Sequence, residues 1–257
     1  MEPTDIAFLL AAGFLAGGVN AIAGGGSLVT FPALIATGLS PVSANVSNSI
    51  AVAPGYLASV AATRQDLREL TAGRRRRYLA LVPTAVVGTV VGCVLLLAAP
   101  PRAFELVVPF LVLGAAAVLS VQERLKRLVT RPHETRHGAV LMHLTVGVGS
   151  VYGGYFGAAL GVMLVAVLGV VVADTLIRVS ALKNAVSALV GVVTLAVFAW
   201  FGPVHWPSVA VVASASIFGG YAGSRLARRL PAPVLRGLIV VFAVVVGIAL
   251  AVGTYGR

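Results

Sequence analysis

Apolar residues in this chain come in long runs, at roughly 6–37, 44–62, 78–98, 103–121, 138–170, 180–200, 206–225 and 233–252, separated by short polar or charged segments. A helix needs about 20 apolar residues to cross a bilayer. Six of the runs fit one span each. The first and fifth are half again too long, and each holds a glycine cluster in its interior: Ala23-Gly24-Gly25-Gly26-Ser27 in the first, Tyr152-Gly153-Gly154-Tyr155-Phe156-Gly157 in the fifth. Glycine disfavours helix by about 1 kcal/mol per residue relative to alanine. We therefore expect two half-length helices in each, 6–22 with 26–37 and 138–152 with 157–170. In lipid such a break is tolerated only where it is buried in protein or lines a polar cavity. The second cluster has another reading. Gly149, Gly153, Gly157 and Gly161 recur every four residues, which also fits a glycine stripe on one continuous helix.

The two breaks stand in matching places. An offset of 131 residues pairs Gly26 with Gly157, Gly38 with Gly169, Gly88 and Gly92 with Gly219 and Gly223, and Pro100 with Pro231. Asn48 pairs with Asn184 at an offset of 136. This predicts a duplicated, all-α polytopic membrane protein. Residues 1–121 form the first transmembrane repeat, 122–137 a basic cytoplasmic linker, and 138–257 the second repeat. Each repeat consists of a broken, re-entrant hairpin and three spanning helices. Five elements per half is an odd number of direction changes, so the second repeat is inverted relative to the first.

Composition agrees: 59% of residues are hydrophobic, 11% are charged, and the mean hydropathy is +1.00. The net charge of +11 does not mark a nucleic-acid binder, because the basic residues sit in short segments between apolar runs. With the N-terminus outside and both breaks returning to their own side, all of the 19 Lys and Arg residues except Arg102 and Arg257 fall inside. Eight plain spans scatter them over both sides. The positive-inside rule thus favours hairpins and both termini outside. Trp200 and Trp206 flank a short outer loop. The acidic start, Met1-Glu2-Pro3-Thr4-Asp5, lacks the basic region of a signal peptide.

Candidate chemistry concentrates at the breaks. A helix starting at membrane depth points free N–H groups and a positive dipole end at whatever lies before it, which favours an anion. The expected substrate-binding groups are Gly24, Gly25, Gly26 and Ser27 at the first break, and Gly154, Tyr155, Phe156 and Gly157 at the second. Polar helix starts add Ser47 and Asn48 in one half and Asn184 in the other, although capping and interhelical hydrogen bonds explain such residues equally well. Lys183 either attracts anions from the cavity wall or snorkels to the cytoplasmic surface. The GxxxG pairs read as close helix packing. No carboxylate sits mid-span, which argues against a cation substrate and leaves the coupling ion open. Cys93 alone makes no disulfide or metal site. His143 reads as a packed histidine. No metal-ligand spacing and no protease-like serine pattern is present, so neither a cofactor nor an enzymatic activity is expected. The expected partners are a small anionic substrate and the lipid bilayer. Self-association into a homo-oligomer is left open.

Gly24-Gly25-Gly26-Ser27 with Phe31-Pro32, then Ser43-Ala44-Asn45-Val46-Ser47-Asn48-Ser49, resembles the sulfite exporter TauE/SafE family. Gly153-Gly154-Tyr155-Phe156-Gly157-Ala158-Ala159-Leu160-Gly161 resembles the second repeat of that family, without a proline to match Pro32. The resemblance extends over nearly the whole chain. It implies a permease of the bacterial inner membrane moving small anions: sulfite, sulfonates such as sulfoacetate, or other sulfur-containing or organic acids. Transport by alternating access is the expectation, with a passive anion channel or a non-transporting scaffold as alternatives.

Overall fold

The computed structural model describes residues 1–22, 25–121, 138–172, 174–226 and 232–256. Gly24 and the linker 122–137 lie outside the described residues. Among those described, every regular element is a helix: α1 (Pro3–Ile22), α2 (Ser27–Ala36), α3 (Pro41–Ala62), α4 (Arg64–Thr71), α5 (Arg75–Leu79), α6 (Leu81–Ala98), α7 (Pro101–Ser120), α8 (Gly138–Tyr155), α9 (Leu160–Val171), α10 (Leu176–Phe201), α11 (Trp206–Leu226) and α12 (Ala232–Tyr255). Among the described residues five stretches are long and apolar enough to cross a membrane: Pro3–Asn20, Arg75–Ala98, Pro101–Ser120, Ile177–Phe201 and Gly237–Tyr255. The chain is an all-α, multi-pass membrane protein.

Local chemistry sets the helix starts. Ser40 caps α3, its hydroxyl accepting from the Ser43 N–H at 3.3 Å, with Pro41 at the first position. Thr175 does the same for α10. A proline at the first helical position costs no hydrogen bond, and Pro101 opens α7 in this way.

Both long apolar runs are broken. Gly25 turns the chain at φ +88° between α1 and α2. Gly157 at φ +72° and Ala159 at φ +56° turn it between α8 and α9. The break in the second run rules out the continuous glycine stripe, and the structure also explains the spacing that suggested it. A Cβ on Gly149 would stand 2.7 Å from Leu164 Cδ2, and one on Gly153 would stand 2.8 Å from Leu160 Cδ2. The stripe is the surface onto which α9 folds back. The second break falls three residues later than expected. The Phe156 and Gly157 N–H groups both donate to the Tyr152 carbonyl, at 2.9 and 3.0 Å, so α8 runs on through the glycines.

The halves pack reciprocally. α1 lies along α11, the counterpart of α6, while α8, the counterpart of α1, lies along α6. α3 crosses its own counterpart α10, and α7 pairs with α12. Glycine makes both long contacts possible. A Cβ on Gly17 would overlap the Ser216 carbonyl, and one on Gly92 would overlap that of Val151. Packing of this kind needs backbones in close approach. The segment 63–77 is not a plain loop as expected, because it folds into α4 and α5. α4 packs on α10 through the half-exposed Arg178–Glu69 ion pair, 3.0 Å. Arg75, Arg76 and Arg77 stay exposed. The two breaks meet at the core, where the rings of Phe31 on α2 and Phe156 pack edge to face at 5.2 Å.

Candidate functional site

A cavity of about 630 Å³ lies between the two breaks. Its walls come from α1 and the first break, the last turns of α3, the start of α9, the start of α10, and α11. It therefore sits toward the end of the bundle from which the basic α4–α5 segment leaves α3. Beyond its inner end is a smaller void of about 20 Å³.

The first break carries the polar groups. Gly25, Gly26 and Ser27 all line the cavity. Gly26 is held by its own hairpin: a Cβ there would overlap the Ala16 carbonyl, and its N–H donates to Asn20 Oδ1 at 3.3 Å. Ser27 is 5% exposed and forms no cap on α2. Its hydroxyl has no protein partner among the described residues and borders both voids. Asn48, 2% exposed, accepts at Oδ1 from the Thr30 hydroxyl.

The two asparagines share one logic. A carboxamide offers one accepting oxygen and one NH2 donor. Asn20 spends its oxygen on the Gly26 N–H and Asn48 spends its oxygen on Thr30. That fixes both amide orientations and leaves Nδ2 donors at the voids, Asn20 at the larger and Asn48 at the smaller. Tyr56, which borders both voids, carries another group that can donate. Lys183 lies in the cavity wall and not at the outer surface. Its side chain crosses the first turn of α9, with Nζ 3.6 Å from where a Gly161 Cβ would stand. Among the described lining residues no carboxylate appears.

Other expected residues have different duties. Ser47 turns away from the cavity, and its Oγ accepts from the His205 N–H at 2.9 Å. Next to it the Ser43 hydroxyl donates to the Pro203 carbonyl at 2.7 Å. Together these tie the start of α3 to the loop before α11. Gly154 faces α6, where a Cβ would overlap the Thr89 carbonyl. Tyr155 packs its ring against Phe104 at 5.6 Å, and its carbonyl accepts from Asn45 Nδ2 at 2.9 Å. The backbone N–H groups at 156 and 157 are consumed within α8, so they offer nothing to an anion. Phe156 and Gly157 border only the smaller void. Asn184 lines the cavity, but its Nδ2 donates to Thr63 Oγ1 at 3.2 Å, tying α10 to the end of α3. Asn20 and Tyr56 are absent from the sequence-based site. Asn20 carried a signal, as an amide inside an apolar run six residues before Gly26.

The fold and site define a multi-pass membrane protein with a polar, partly basic cavity held between two broken helices. The profile of the sulfite exporter TauE/SafE family matches residues 9–250, and the chain belongs to that family. It is similar to the probable membrane transporter protein YfcA of Escherichia coli K12, 26% identical over all of this chain and 93% of that protein. It is also similar to the probable membrane transporter protein ORF9 of Sinorhizobium sp, 25% identical over 95% and 92% of the two chains. A probable membrane transporter protein of Haemophilus influenzae is 25% identical over 93% and 91%. No solved structure matches the chain.

Proposed function

We propose that this chain is a secondary transporter for small anions, with the first break as its binding site. The carrying observation is the donor set around Ser27. Asn20 and Asn48 have their accepting oxygens occupied and their NH2 groups turned to the voids. Ser27 and Tyr56, each carrying a hydroxyl, border the same space. Hydrogen bonds from such groups are strongest to a charged acceptor. Lys183 adds a positive charge in a wall without a described carboxylate. The family description and the names of the relatives support a transporter, and sulfite or a sulfonate such as sulfoacetate is the first substrate to try.

Alternating access follows from the duplication. The reciprocal packing of the halves supports two exchangeable arrangements around one site. With the N-terminus outside, the open cavity faces the cytoplasm of the bacterial inner membrane. The Ser43–Pro203 and Ser47–His205 contacts then close the outer side.

Proteoliposomes test this. Vesicles loaded with unlabelled sulfite or sulfoacetate should take up labelled anion by counterflow, and Ser27→Ala should raise the KM. Flux without counterflow identifies a channel, and the absence of any anion flux removes the transport reading.

A further inference from the structure

The two voids touch through one neck. Four residues border both: Ser27 from the first break, Val52 and Tyr56 from α3, and Leu160 from the second break. Of the four, Tyr56 is the largest, and its ring, like the Leu160 side chain on Gly153, lies against a glycine. A Cβ on Gly191 of α10 would stand 3.2 Å from Tyr56 Cδ2, so the ring lies against the α10 backbone where a side chain would otherwise be. Gly191 and Gly55 match at the 136-residue offset that also matches Asn184 with Asn48. The ring thus stands where the two halves cross.

The walls differ in chemistry on the two sides of this ring. At the neck, Ser27 and Tyr56 offer hydroxyls and Asn48 its Nδ2. Across the smaller void, the Ser49 hydroxyl donates to the Asn45 carbonyl at 2.9 Å and the Thr194 hydroxyl donates to the Gly191 carbonyl at 3.0 Å. Each has committed its only proton, so each turns lone pairs toward the void. An oxyanion that reaches the neck meets donors there and acceptors beyond.

We propose that Tyr56 is the neck residue of the pathway: its hydroxyl helps hold the anion headgroup, and its ring separates the cavity from the far half of the route. This deepens the transporter reading and rests on it for the substrate. The barrier itself does not depend on which solute is carried. Pro54, one turn's reach from Tyr56, has no N–H to donate inside α3. The neighbouring Gly55 meets nothing within 4 Å. The helix is weakest beside the ring that has to move.

The test uses the full-length protein in proteoliposomes, in a Cys93→Ala background. Single cysteines at Ser59, in the cavity wall, and at Thr194, beyond the neck, are labelled with a water-soluble thiol reagent applied to the cavity side. In the parent, Ser59→Cys should react readily and Thr194→Cys slowly. Adding Tyr56→Ala should speed labelling at Thr194→Cys by at least about tenfold, as removal of a gate does, and leave Ser59→Cys unchanged. Tyr56→Val gives the same readout if the alanine variant does not fold. Tyr56→Phe keeps the ring and loses the hydroxyl. It should leave labelling unchanged and raise the KM for sulfite about tenfold, the loss expected for one hydrogen bond to a charged group. Unchanged Thr194→Cys labelling in both Tyr56→Ala and Tyr56→Val overturns the neck. An unchanged KM in Tyr56→Phe overturns the contact with the anion. Absence of sulfite and sulfoacetate flux in the wild type removes the transporter reading, and the labelling result is read separately.

Discussion

The first and second breaks occupy matching places in the two halves, yet they are built for different tasks. The first turns on Gly25 and gathers polar groups: Asn20 accepts from the Gly26 N–H, Asn48 accepts from the Thr30 hydroxyl, and Ser27 borders both voids. The second turns on Gly157 and Ala159 and is nearly all apolar. The bond from the Tyr152 hydroxyl to the Ala158 carbonyl at 2.6 Å holds the turn itself. Phe156 then plugs the core against Phe31. Lys183 of α10 brings charge to the second break. The two breaks share a geometry, and in the proposed function only the first carries ligand chemistry.

The comparison can be broken from either side. The largest effect is expected from Gly154→Leu, which drives a side chain into the α6 backbone. Overpacking against a backbone that cannot yield should cost about 3 kcal/mol or more. The folded, monodisperse protein should be lost in detergent. A well-folded Gly154→Leu with impaired flux would restore this glycine to the binding site. Ser27→Ala comes next. It should raise the KM for sulfite roughly tenfold, the loss of one hydrogen bond to a charged ligand, with the Tm unchanged. A smaller effect is expected for Lys183→Gln. At low salt its KM should rise a few-fold, and the difference should fade as salt screens the partly exposed charge. Tyr152→Phe should act on stability alone, by about 1 kcal/mol, read as a lower Tm at constant KM. A changed KM in that variant would make the second break a ligand contact after all.

Much of this contrast was legible in the chain, and the illegible part has a physical cause. Hydropathy and glycine density gave both breaks, because a run too long for one span and rich in glycine has few other solutions in lipid. Periodicity could not separate a break from a stripe in the second run, since both need glycines on one face. The Leu160 and Leu164 side chains that lie on Gly153 and Gly149 come from the far side of the turn. Ser47 and Asn48 looked equivalent as neighbours on a polar helix start. One residue of helix turns a side chain by about 100°, enough to send Ser47 to His205 and Asn48 to the void. Lys183 was undecided because its reach depends on Gly161, a residue distant in sequence.

The central claim is that an anion is held at the first break by donors with no competing acceptor. Asn48→Asp tests it most directly. Aspartate keeps an oxygen for the Thr30 hydroxyl and replaces the Nδ2 donor with a second, negatively charged acceptor. The protein should still fold, with a Tm lowered by the cost of burying a carboxylate. Counterflow of sulfite and sulfoacetate should show a KM raised by at least about 100-fold, the combined effect of a lost charge-assisted hydrogen bond and a like charge beside the ligand. A folded Asn48→Asp protein that transports either anion with the parent KM would contradict the account.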